Sequence, residues 1–406
     1  MVIFLAIWWL VLSLSTLLNG GALDQVNHLA FISSVIFATG LVFGSLFKLK
    51  NNKPIKAWSP EYKDVYKISV VIVLVGISLQ LYVYLDLIKM YLSGQSMLEV
   101  RRSLFSGDTF STETKVIFNW SSALTYNYLV ASGFVYLHIY RKSEFLIAAF
   151  LYLLVTSIFK GSRAELYQFI AVGLIYVISI SNTFDFNKLF KGRYIVLSGI
   201  SLFIIVIVYI GFLRGGSDFF NELIEYHMVG MVLFSKYIDG VGCWDAYSTF
   251  DYGLSLLGGL DYLISLVARY MFDTGFIGYG KAVAACQDLS FPVVQAESVV
   301  NGSNYYRLSG YNSFYTLLFS GHRAFGFIGI LIVGVSLGLA LRLLIIRANN
   351  RDMFSAFYLF LMLGMTFMGI FSSYLGAVGF WLTLMLLNFK YATLLIASKL
   401  NYRSNV

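Results

Sequence analysis

Charge is what this chain has least of. Asp, Glu, Lys and Arg make up 12% of its 406 residues, about half the roughly 25% usual in soluble domains. With 58% hydrophobic residues and a mean hydropathy of +0.75, its side chains exceed what water-soluble cores can hide, which excludes a soluble globular protein. Proline is nearly absent. Pro54, Pro60 and Pro292 are the whole complement, and none lies in a long apolar run, which disfavours carriers built on broken helices. Cys243 and Cys286 are the only cysteines; without a CxxC or a neighbouring histidine cluster they imply neither zinc nor a disulfide scaffold. A single bridge and two unpaired thiols both stay open. There is no DxD, no His-x-x-His and no Walker or GxGxxG string, so a metal-held nucleotide-sugar site is disfavoured and no cofactor is implied.

What is present is long apolar sequence. Runs such as 195–213 and 328–341 are apolar on every side, which excludes the alternating pattern of a β-barrel and predicts an all-α polytopic membrane protein. Ten spans are expected, over 2–18, 29–47, 68–88, 116–139, 145–158, 166–181, 194–213, 325–346, 354–371 and 376–396. The first lacks a basic flank and a cleavage site, so it reads as a retained helix and not a signal peptide.

Ten crossings put both termini on one side. Segments on that side, Lys390 among them, hold 17 of the 29 basic and 5 of the 21 acidic residues, a balance of +12 that leaves −4 on the other side and gives the net +8. The excess makes the termini cytoplasmic, and the net charge then reports topology and not a nucleic-acid partner. Three regions follow: seven spans over 1–213, a large extracytoplasmic loop over 214–324, and three spans with a cytoplasmic tail over 325–406. Within the loop, 218–239 carries Phe219, Leu223, Tyr226, Gly230 and Leu233 at helical spacing, and 254–271 carries Asp261, Ser265 and Arg269 at i, i+4, i+8. Both are expected as helices lying at the membrane surface.

Positive charge is normally depleted outside, yet this face collects arginines beside small residues: Arg101-Arg102, Gly161-Ser162-Arg163, Arg214-Gly215-Gly216, Arg307 and Gly321-His322-Arg323. Guanidinium is a planar, permanently charged donor suited to phosphate, and glycines let a bulky diphosphate approach the backbone. The alternative, arginines snorkelling to ordinary lipid phosphates, accounts for any one of them. His322 sets a titratable imidazole beside fixed charge where a span begins, the place for a base that activates a sugar hydroxyl. His28 and His138 sit at helix ends, where solvation or packing explains them. Trp244, Tyr305, Tyr311 and Tyr315 offer rings for stacking on sugars; an interfacial aromatic belt explains them equally.

Ten or more spans, a long loop before the last few, Gly-Ser-Arg heading one helix, Arg-Gly-Gly after another, and Tyr311-Asn312-Ser313-Phe314-Tyr315-Thr316 followed by Phe325-Gly326-Phe327-Ile328-Gly329 together resemble bacterial O-antigen polymerases of the Wzy type. These are similar to O-antigen ligases, and the resemblance implies the membrane glycosyltransferase fold of the C type. It implies a metal-independent transfer, at the periplasmic face of the inner membrane, of a growing glycan from undecaprenyl pyrophosphate to the non-reducing end of an incoming lipid-linked repeat unit. Arg163, Arg214 and Arg323 would hold the pyrophosphate, with Arg307, Arg101 and Arg102 near it, and His322 would be the base. Many such polymerases have an acidic residue just before Phe-Gly. Here it is Ala324, and Glu165, Asp218 or Glu222 would substitute. Expected partners are the lipid-linked repeat units, membrane lipids, a chain-length regulator and a flippase. Competing readings are an O-antigen ligase, a polyprenyl-phosphate-sugar transferase with Asp24 as base, and a lipid-linked oligosaccharide flippase or exporter.

Overall fold

The computed structural model describes residues 1–18, 28–47, 60–96, 99–100, 110–160, 164–179, most of 230–239, 252, 254–272, 296–300, 303–307, 316–370 and 378–404. They are helical apart from one short hairpin. The helices are α1 Val2–Leu18, α2 His28–Leu46, α3 Tyr62–Leu92, α4 Thr112–Tyr140, α5 Glu144–Lys160, α6 Ala164–Ser179, α7 Gly258–Phe272, α8 Leu317–Asn349, α9 Met353–Met368 and α10 Val378–Ser404. Each expected span is met by a helix except 194–213, which lies outside the described residues, as do both cysteines. By length and composition α2, α3 and α8 are long and apolar enough to cross a membrane, while α1, α5, α6 and α9 are apolar but shorter.

The chain divides into two compact units that alternate along the sequence: Met1–Pro54, Phe220–Ile346 and Met362–Trp381 form the first, and Ile55–Phe219, Arg347–Leu361 and Leu382–Val406 the second.

In the first unit, α2 and α8 run side by side with their backbones touching. A Cβ on Gly44 would stand 2.1 Å from the Val335 carbonyl oxygen, and one on Gly338 2.1 Å from that of Leu41. Small residues at such a contact let two helices gain dispersion and close packing where lipid supplies no hydrophobic drive. Gly334-Val335-Ser336-Leu337-Gly338 spells GxSxG, but it lies in the middle of α8 and its glycines serve this packing. The last carbonyls of α9 have no partner within their own helix. Trp8 donates its indole N–H to Phe367 O at 3.2 Å, Trp9 donates to Thr366 O at 3.0 Å, and the Leu317 amide donates to Gly369 O at 2.7 Å. At the other end of α2 the Arg342 guanidinium donates to Ser45 O, a cation on a helix C-terminus.

In the second unit α4 is the inner helix, packed on α3 and α5. Ser111 begins it, its hydroxyl accepting from the Thr114 amide at 3.2 Å. Ser121, Ser122, Thr125, Asn127 and Ser132 are all buried, so the polar side chains of this largely apolar helix turn inward. Gly76 of α3 makes room for Thr125. One turn on, buried Gln80 donates to Gly76 O at 2.7 Å and Thr125 Oγ1 at 3.1 Å, while its Oε1 accepts from Tyr152 at 2.8 Å and Tyr84 at 3.3 Å. Both amide hydrogens and the carbonyl are thereby satisfied, as burial requires. His138 is a packing residue, as expected: its Nε2 is 3.1 Å from Ala348 O.

Strands Ala296–Val300 (β1) and Ser303–Arg307 (β2) pair antiparallel, Ala296 opposite Arg307 and Val300 opposite Ser303, a short hairpin in an otherwise helical structure. Residues 231, 232, 234, 235, 237 and 238 are helical and buried, and 218–229 lie outside the described residues. On α7, Ser265 is buried while Ile264, Val267 and Met271 are exposed, an outward apolar face of the kind a surface helix turns toward lipid.

The α2–α8 contact generates a test. Gly44→Ala should lower the thermal stability of detergent-solubilised protein by about 1–3 kcal/mol, the cost of overpacking. Ile332→Ala, on the exposed side of α8, should change it by no more than about 0.5 kcal/mol. Equal melting curves for Gly44→Ala and wild type would contradict the contact.

Candidate active site

The best-defined candidate among the described residues is His322-Arg323, at a break in α8. Helical geometry fails at Phe325 and Gly326, where Gly326 takes φ 63° and ψ −148°, a conformation open to glycine and costly for residues with a Cβ. The segments on either side of the break cross closely. A Cβ on Gly329 would stand 2.1 Å from Gly321 O, and one on Gly321 3.0 Å from the Ile330 Cα. The three glycines of 321–329 therefore do separate jobs: Gly326 makes the bend, and Gly321 and Gly329 let its arms meet.

This bend carries His322 and Arg323 into the first unit's interior, 2% and 4% exposed. The Tyr237 hydroxyl lies 3.2 Å from His322 Nδ1, and edge-on ring contacts with Phe327, Tyr237 and Phe234, at centroid distances of 5.1, 5.6 and 6.2 Å, surround the imidazole. With Nδ1 engaged, proton exchange with a substrate runs through Nε2. A guanidinium in the next position supplies fixed positive charge in an apolar setting, where its field is least screened. The pair can accept a proton and stabilise an anion, and in this conformation it is closed to solvent.

Glu165 belongs to the second unit. It stands in the first turn of α6, partly exposed, and its backbone carbonyl lies 3.5 Å from the Tyr126 hydroxyl. Tyr305 and Arg307 fall on β2, Tyr305 opposite Ser298. Arg101, Arg102, Arg163, Arg214, Asp218, Glu222, Trp244, Tyr311 and Tyr315 lie outside the described residues, as does Asp24. Among the described residues, no three His, Cys, Asp or Glu side chains are grouped as a metal would require.

Two polar features escaped the sequence reading. Tyr237 follows Leu233 by four positions, so it extends the helical stripe already visible from Phe219 to Leu233; only its partner in α8 could not be read. Lys390 was assigned to the cytoplasmic charge, yet it is 2% exposed. Its ammonium donates to Ser69 Oγ at 2.7 Å and Tyr128 OH at 2.6 Å, and sits 4.5 Å from the Phe357 ring centroid. The cause of the misreading is composition: α10 is apolar around Lys390, and nothing local marks a cation as enclosed.

No family model matches the chain, and neither a curated protein nor a solved structure matches it significantly.

Two substitutions probe the bend. Gly326→Ala should cost about 1–2 kcal/mol of stability through its positive φ, and Tyr237→Phe about 1–3 kcal/mol by leaving a buried ring nitrogen without its partner. Thermal unfolding measures both, and a Tyr237→Phe protein as stable as wild type would remove the hydrogen bond from the site.

Proposed function

We propose that this chain is an inner-membrane glycosyltransferase of the repeat-unit polymerase kind, working on undecaprenyl-pyrophosphate-linked glycans at the periplasmic face. The observation that carries the reading is the buried His322-Arg323 pair on a glycine-built bend, with Tyr237 on Nδ1. In this reaction the bond between the donor's anomeric carbon and the pyrophosphate oxygen breaks, and undecaprenyl pyrophosphate leaves with the electron pair. The acceptor hydroxyl oxygen bonds to that carbon, and its proton passes to His322 Nε2. Arg323 offsets charge developing on the leaving group. Because His322 is enclosed, the acceptor reaches it only when the surrounding rings part. A ligase is the same chemistry with lipid A-core as acceptor.

The bend in α8 and the enclosed Lys390 favour a second reading, a lipid-linked oligosaccharide flippase or exporter, since interrupted helices and buried charge mark transport pathways. The two separate in one reconstitution. Purified protein given lipid-linked repeat units should build a ladder of longer glycans in the presence of EDTA. His322→Ala should reduce the rate by about 10²–10⁴-fold, the usual worth of a general base. Labelled repeat units crossing the bilayer with no change in glycan length would support the flippase, and a ladder unaffected by His322→Ala would dismiss the base.

A further inference from the structure

The arm of α8 ahead of its bend, with Thr316 before it, is buried from 316 to 324. Most of its side chains are apolar, so each polar one has to find a partner inside the protein. Thr316, Ser320 and Arg323 stand at i, i+4 and i+7, one above another on a single side of the helix. The fourth polar residue, His322, is turned about 100° from Arg323 by the helical repeat and faces Tyr237.

Thr316 is the anomaly in this row. It directly precedes Leu317, and its carbonyl accepts from the Phe319 amide at 3.1 Å, which puts it at the helix N-cap. A threonine there ordinarily turns its hydroxyl onto an amide of the first turn, as Ser111 does at the head of α4. The Thr316 hydroxyl makes no such bond: Oγ1 is buried and has no hydrogen-bond partner among the described residues. The Leu317 amide beside it is taken by Gly369 O at 2.7 Å. Ser132 and Ser157 are likewise unbonded, but they belong to the second unit, whereas Thr316 shares its helix face with Arg323. A buried hydroxyl left this way lowers stability, so its retention beside a candidate site asks for a use.

Two donors of different kinds therefore share one face. Arg323 brings a guanidinium, suited to phosphate, and Thr316 brings an uncommitted hydroxyl at the positive end of a helix, where anions are favoured. Seven residues separate them, about 10 Å along the axis. The arginine side chain leans back toward Thr316, since helical side chains tilt to the N-terminus. We propose that Thr316 is a specificity residue for diphosphate: one phosphate rests on Arg323 and the second accepts from the Thr316 hydroxyl, so the row prefers a lipid-linked diphosphate to a monophosphate. Binding gives the hydroxyl the partner it lacks. The row is closed in this conformation, like His322, and opens with it. The inference rests on the assignment of Arg323 to the pyrophosphate in the proposed function and adds selectivity to it.

The test reads binding and needs no turnover. The full chain in mild detergent is titrated with undecaprenyl pyrophosphate, undecaprenyl phosphate and undecaprenol, and affinities are taken by native mass spectrometry. Wild type should bind the diphosphate most tightly. Thr316→Val removes the hydroxyl and keeps the shape. It should weaken the diphosphate about tenfold, the scale of one hydrogen bond to a charged group, and leave the monophosphate and the alcohol unchanged. It should melt no lower than wild type, because the hydroxyl it removes has no partner. Thr316→Ser keeps the hydroxyl and should bind like wild type. Undiminished diphosphate binding in Thr316→Val, or a Thr316→Ser protein as weak as Thr316→Val, overturns the role of Thr316 and leaves that of Arg323 standing. An equal loss for the monophosphate overturns the two-phosphate arrangement, and a lowered melting point in Thr316→Val makes the hydroxyl structural and overturns the proposal. Wild type that binds the alcohol as tightly as the diphosphate removes the pyrophosphate assignment of the proposed function, and this inference with it. Inorganic pyrophosphate decides the source: displacement of the lipid only in large excess supports the lipid-linked ligand, and displacement at equal concentration overturns it.

Discussion

A polar group in a bundle this apolar has to be satisfied by the protein itself, and that constraint organises the rest of the structure. In water an unpaired carbonyl or amide costs little because solvent is at hand; in a helical bundle surrounded by hydrocarbon it has no such recourse. The two tryptophans of α1 answer it for the end of α9, and Arg342 answers it for the end of α2. Gln80 spends both its hydrogens and its oxygen on neighbours within reach. Around Lys390 the logic extends to a small network. Ser69 is bonded to the ammonium and to the hydroxyls of Tyr128 and Tyr136, and Tyr136 donates in turn to Val65 O at 3.0 Å. Because that last step ends on a carbonyl, the Tyr136 hydrogen points away from Ser69, so Ser69 donates to Tyr136.

The elements were legible in proportion to how far composition alone determines them. Helices stand where long apolar runs predicted them, since a run of that length has few other ways to satisfy its backbone. What was hidden was direction. The α4 sequence intersperses Ser, Thr and Asn among its apolar residues, and only its neighbours show that these side chains point inward. The same blindness put Lys390 in the wrong environment. The hairpin was readable in principle: Asn301 and Gly302 separate the two strands, the dipeptide that most favours a two-residue turn. A chain taken as helical throughout gave no reason to look for it.

Of the candidate site, His322 and Arg323 were visible because a histidine and an arginine side by side are conspicuous in so apolar a chain. Their enclosure was not, because it depends on a bend whose necessity lies in backbone geometry at Gly326 and in the mutual approach of Gly321 and Gly329. Tyr237 lies 85 residues away in sequence, and no local pattern joins two positions so far apart. Glycines near a charged pair can signal ligand approach or close backbone packing, and here the geometry assigns all three to the backbone.

The first unit joins segments from opposite ends of the chain: the Trp9 indole is bonded across 357 positions of sequence, and Gly44 rests on Val335. At roughly 5–20 residues per second, α1 and α2 leave the ribosome about 15–60 s before α8 does. Throughout that interval the flat glycine face of α2 has no backbone to meet, and the indoles of α1 have no carbonyls to hold. The α1–α2 pair, bonded to itself through Ser13 and Ser34, therefore has to hold together on its own contacts until α8 and α9 arrive.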